Sequence, residues 1–74
     1  MENTVVEHMR VSPRIGLLNK YVHKVKKVAI SEMHPIYADA EGRELQGFNI
    51  AVEGPAKYLS YFNRLIDDAN LKVS

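Results

Sequence analysis

Hydrophobic and polar positions in this chain recur with two periods, and the switches between them mark out the elements. Val5, Met9 and Val11 alternate with Val6, His8 and Arg10, a period of two that predicts a strand over residues 4–11. Ser12-Pro13 stops that strand and opens a helix. A serine hydroxyl accepts from the free amides of a first turn, and proline at the first helical position gives up only an amide that had no partner. Ile15, Leu18, Val22 and Val25 follow at spacings of three and four, which stacks them on one face. Leu17 and Tyr21 widen that stripe, Lys20, Lys24 and Lys27 point elsewhere, and the helix is expected over residues 13–26.

The period of two returns over residues 28–39. Its phase slips around Glu32-Met33-His34-Pro35, because Val28 and Ile30 share a face with Glu32 and His34. Pro35 has no N–H to give a ladder, so a bulge or an edge strand is expected there. Ala40-Glu41-Gly42-Arg43 forms a turn, and residues 45–53 read as a half-buried strand in which Phe48, Ile50 and Val52 alternate with Gly47, Asn49 and Ala51. Gly54-Pro55 opens a second helix with Leu59, Phe62 and Ile66 as its buried stripe and Tyr58, Leu65 and Ala69 on its flanks. Asn70 is expected to stop this helix in the left-handed conformation, and Leu71 and Val73 begin a last short strand.

The order βαββαβ predicts one α+β domain over residues 1–74, a ferredoxin-like four-stranded antiparallel sheet with both helices on one face. Its other face is left uncovered, with His8, Arg10, Met33, Asn49 and Ala51 expected there. Together with Tyr37 these are the candidate interface residues.

Composition narrows the chemistry. A chain of 74 residues buries only about 60% of the surface that its unfolded form exposes, so association with a partner is a common source of extra stability. With no Cys there are no disulfides, thiolate metal sites or cysteine nucleophiles. The net charge of +1 conceals an asymmetry: no acid lies between Glu7 and Glu32, whereas acids outnumber bases from Glu32 onward. Lys20, Lys24 and Lys27 form a candidate electrostatic patch able to steer a partner or a second copy. No apolar run reaches the ~20 residues that span a bilayer, and the N-terminus lacks the basic start and apolar centre of a signal peptide, so the chain as written is expected in the cytoplasm.

Catalysis and metal binding find little support. His8, His23 and His34 fall on a strand, a helix and a strand without ligand spacing, and His23 sits among lysines that repel a cation. No serine occupies a Gly-x-Ser-x-Gly elbow, and no acid sits in an apolar surround that would fit it for general acid work. Small acyl-phosphate hydrolases of ferredoxin-like fold carry a glycine-rich loop and an arginine after the first strand; Val11-Ser12-Pro13-Arg14-Ile15-Gly16 has an arginine and one glycine without the loop. The expectation is therefore a protein that is not an enzyme, with no metal and no cofactor.

RNA-recognition domains share the predicted topology, and Gln46-Gly47-Phe48-Asn49-Ile50-Ala51-Val52-Glu53 resembles their signature strand at Gly47 and Phe48. The leading basic residue and the further aromatics are missing, so base stacking has little to rest on and nucleic acid is the weaker expectation. The stretch from Gly47 to Ala56, with Tyr58-Leu59, Phe62, Leu65-Ile66 and Asn70-Leu71, resembles the ferredoxin-like periplasmic domains of type IV pilus and type II secretion platform proteins. That resemblance implies a domain that dimerises or pairs with a homologue, has no catalytic residue, and would be periplasmic if excised from such a protein. The same pattern is similar to small-molecule regulatory modules of the ACT and NIL type, which implies a ligand held between paired copies near a glycine such as Gly16. The reading expected from sequence is an interaction module that forms a homodimer or docks on a protein partner through the open sheet face or a strand edge, with a ligand-sensing module as the alternative.

Overall fold

A computed structural model describes residues 3–73 of the chain. Three strands, β1 (Thr4–Val11), β2 (Ala29–Tyr37) and β3 (Leu45–Pro55), form an antiparallel sheet in the order β1-β3-β2. Helix α1 (Ile15–Val25) connects β1 to β2, and helix α2 (Ala56–Asp68) follows β3. The molecule measures 46 × 20 × 18 Å. Its length comes from the β2–β3 hairpin, whose Ile36–Gly47 and Tyr37–Leu45 pairs continue beyond the Val11–Phe48 pair where β1 ends.

Strand pairing sets which side chains meet the helices, because residues opposite one another in an antiparallel ladder point to the same face. Ile50 and Val52 are fully buried, so their partners Met9 and Glu7 on β1, and Met33 and Ile30 on β2, share the helix side. Val11, Leu18, Val28, Leu59, Phe62, Ile66 and Leu71 complete the core. All of it lies between the helices and one sheet face, and no described polar or charged residue is buried.

The helix ends follow local chemistry. α1 starts at Ile15, two residues later than the pattern predicts, because Ser12-Pro13-Arg14 is used as a turn. The Arg14 N–H donates to the Ser12 hydroxyl at 3.4 Å, and the Ile15 N–H donates to the Pro13 carbonyl at 2.8 Å. α1 stops at Lys26, which takes a left-handed conformation at φ 68° while its N–H donates to the Val22 carbonyl. Asn70 stops α2 as expected, at φ 57°. The Asn70 N–H donates to Asp67 and the Leu71 N–H to Ile66, the two bonds of a Schellman motif, and buried Leu71 packs with Ile66 in the same core.

The expected fourth strand is reduced to a single bridge, between Lys72 and Val11. Two backbone bonds fasten it: the Ser12 N–H donates to the Leu71 carbonyl at 2.6 Å and the Val73 N–H to the Arg10 carbonyl at 3.2 Å. Among the described residues the pairing of this segment with β1 goes no further. Among the described residues no helix is long and apolar enough to cross a membrane.

Two backbone positions carry measurable consequences. Lys26 holds a conformation that costs an L-residue about 1–2 kcal/mol, against roughly 0.5–1 kcal/mol of extra unfolded-chain entropy for glycine. Lys26→Gly is expected to stabilise the domain by about 0.5–1 kcal/mol, read as a rise of a few degrees in Tm. At Gly54 an added Cβ would lie 2.6 Å from the Lys27 carbonyl oxygen and 3.1 Å from Val28 Cγ1. Gly54→Ala is therefore expected to cost about 1–3 kcal/mol in urea unfolding, because backbone has to move.

Candidate functional site

The sheet face away from the helices is built in rows across the three strands. His34, Asn49 and Arg10 form one row, Glu32, Ala51 and His8 the next, and Ala29, Glu53 and Val6 the third. Each row follows from the register, since β3 contributes its alternate residues Asn49, Ala51 and Glu53 to the face opposite Ile50 and Val52. Arg10 Nε donates to Asn49 Oδ1 at 3.4 Å, tying β1 to β3 across the first row. Ala51 is only 2% exposed although it faces outward, because a methyl group in a central strand is sheltered by its larger neighbours. The face is thus mixed: basic toward Arg10, acidic at Glu32 and Glu53, and apolar at Val6, which is 54% exposed.

Four of the residues predicted for an interface, His8, Arg10, Asn49 and Ala51, come together in two adjacent rows. Met33 does not join them. It pairs with Ile50, is half-buried and packs against the core on the helix side. The cause is the bulge between Ile30 and Glu32, which makes Ser31 the extra residue and shifts every later side chain of β2 to the opposite face. The Ser31 hydroxyl donates to the Ala51 carbonyl at 3.2 Å and so helps to anchor the bulge. Tyr37 is placed on the projecting hairpin opposite Leu45, after a second irregularity in the ladder, with both side chains exposed. It is separate from the cluster of His8, Arg10, Asn49 and Ala51.

Glu32 and His34 take the places on the face that the sequence pattern assigned to Met33. The signal for them was the odd spacing between Ile30 and Met33, which only a bulge reconciles with two core-facing residues on one strand. A shallow hollow lined by His8, Met9, Arg10, Asn49, Lys72 and Val73 marks where the chain's C-terminal residues meet β1. Gly47 adjoins it, with Val73 Cγ2 3.4 Å from where its Cβ would stand and the Val11 carbonyl oxygen closer still. Lys20 and Lys24 lie exposed on α1, and Lys27 lies exposed in the connection to β2, where its carbonyl covers Gly54.

Among the described residues no group of three His, Asp or Glu side chains converges as a metal site would require. Phe48, the one aromatic residue of the strand that resembles an RNA-binding signature, is half-buried and packs against the core. The described open-face positions hold no Phe, Tyr or Trp, their aromatic rings being the imidazoles of His8 and His34. The chain matches no protein-family model, no curated protein and no solved structure.

The position of Met33 changes what its substitution does. Met33→Lys forces a charge toward the core and is expected to destabilise the domain by about 1–3 kcal/mol. His34→Lys, one residue on and facing solvent, is expected to change stability by less than about 0.5 kcal/mol. Urea denaturation of the two variants against the parent checks both values.

Proposed function

We propose that this chain is a non-enzymatic interaction module of ferredoxin-like fold that associates with copies of itself through its open sheet face or a strand edge. The observation that carries this reading is the one-sided sheet. Two helices cover one face, while the other offers Val6, His8, Arg10, Glu32, His34, Asn49 and Glu53 to a partner. Charges of both signs on that face suit a self-complementary contact, in which the basic part of one copy meets the acidic part of another. The small core supplies the incentive, since a domain of this size gains stability from any surface it buries on assembly.

The four-stranded form of the fold belongs to the same reading. The Lys72–Val11 bridge falls on the edge of β1 opposite β3, and this supports an order of fourth strand, β1, β3, β2 with residues 71–73 as a rudimentary fourth strand. The ligand-sensing alternative calls for a glycine-bearing loop after the first strand, whereas Gly16 lies within α1. The nucleic-acid alternative calls for an aromatic platform, whereas Phe48 packs against the core.

Light scattering coupled to size exclusion, over a range of concentrations and at two salt levels, tests the proposal. The expected result is a mass that rises from 8.4 kDa toward twice that value with concentration. A mass of 8.4 kDa at every concentration would overturn self-association.

A further inference from the structure

The two edges of the sheet are built differently. At the β1 edge the directions of the backbone groups follow from the C-terminal contact. Arg10 and Ser12 bond outward to Val73 and Leu71, and backbone groups alternate along a strand, so Thr4, Val6 and His8 also direct their N–H and C=O groups outward. Val5, Glu7, Met9 and Val11 then bond to β3. On β3, Phe48, Ile50 and Val52 bond toward β1, while Asn49 and Ala51 bond toward β2. Pro35, opposite Phe48, therefore has its ring nitrogen on the outer edge of β2, where an amide donor is missing.

The β2 edge thus combines a bulge at Ser31 with a proline at Pro35, two of the devices by which natural sheets refuse a further strand. The β1 edge has neither. Residues 3–9, Asn-Thr-Val-Val-Glu-His-Met, contain no proline, glycine or lysine, and β1 pairs with β3 without a register shift. Among the described residues the C-terminal contact reaches only as far as Arg10, so nothing described pairs with the outer edge of residues 3–9. Val5 and Val6 on that stretch are 41% and 54% exposed.

We infer that this edge is the self-association site, where β1 pairs antiparallel with β1 of a second copy about a twofold axis at Val6. The inference rests on the self-association reading above and selects one surface for it. The register follows from the outward-bonding residues of β1: Thr4, Val6 and His8 lie clear of the C-terminal contact at Arg10, and Val6 is the middle one, so placing it on the axis pairs all three. Val6 then faces Val6 of the second copy, Thr4 faces His8, and Val5 faces Glu7. The outward backbone groups of Thr4, Val6 and His8 all find partners, about six hydrogen bonds in total. An axis at Glu7 would instead set two carboxylates against each other. The two copies thereby form one continuous six-stranded sheet with all four helices on the same side.

Three variants test this against the parent by light scattering, circular dichroism and non-reducing gel electrophoresis. Val6→Lys sets two like charges at the axis and leaves the core untouched, so the dimer is expected to be lost with the fold retained. Glu32→Lys, on β2, is expected to leave the dimer in place. The chain has no Cys, so in Val6→Cys the introduced thiol has only its copy to pair with. Opposed strand residues lie within disulfide reach, so mild oxidation is expected to give a covalent dimer for Val6→Cys, and none for Glu32→Cys. A folded Val6→Lys that remains dimeric would overturn the β1 edge while leaving self-association standing. A parent chain that is monomeric throughout would overturn both, and points to a strand from a different protein as the occupant.

Discussion

The central strand β3 is hydrogen-bonded on both sides, so the alternation of Phe48, Ile50 and Val52 with Asn49, Ala51 and Glu53 decides the facing of all three strands. A slip of one residue in either ladder would carry a whole set of side chains from core to solvent. The core permits no such freedom. Ile50 and Val52 are fully buried beneath Leu59, Phe62 and Ile66 of α2 and Leu18 of α1. The same pairing that builds the core therefore also builds the open face, and Arg10, His8, Asn49 and Ala51 are fixed there by what Ile50 and Val52 require on the other side.

Where one period ran unbroken, the elements could be read from the chain. β1 occupies residues 4–11 as its alternation predicts, and α2 carries Leu59, Phe62 and Ile66 inward and ends at a left-handed Asn70. β2 was harder because two phases coexist within nine residues. The pattern around Glu32–Pro35 predicts a bulge or an edge strand, and β2 is both, but alternation alone does not say which residue is the extra one. The observed shift lies between Ile30 and Glu32, earlier than the proline suggested, and this moves Met33 inward and Glu32 and His34 outward. The start of α1 departs from its sequence pattern for a similar local reason. Ser12 and Pro13 are good helix openers, yet here their hydroxyl and carbonyl accept from Arg14 and Ile15 to make a turn first.

The candidate site was legible to the extent that it depends on β1 and β3. His8 and Arg10 follow from the alternation of β1, and Asn49 and Ala51 from that of β3, so four residues were assembled by counting in twos. Tyr37 was not, because a second ladder irregularity at Ile36/Tyr37 and the overhang of the hairpin take it away from the cluster. The charge asymmetry along the sequence did not foretell the open face. The lysines of the basic segment lie on α1 and in its connection to β2, whereas the face draws its charges from all three strands, with Arg10 on β1, Glu32 on β2 and Glu53 on β3.

If copies pair through β1 as proposed, the unequal edges bear on how that association would stop short of a polymer. A sheet that offers two receptive edges grows without limit, because each added copy presents the edge it has not used. A sheet with one receptive edge closes at two copies when the contact is twofold. The bulge at Ser31 interrupts the β2 ladder and Pro35 leaves the outer edge of β2 short of an amide donor, so that edge is poorly suited to a further strand. On the β1 pairing inferred here, those two local defects set the size of the assembly: they stand at both outer margins of the six-stranded sheet and end it there.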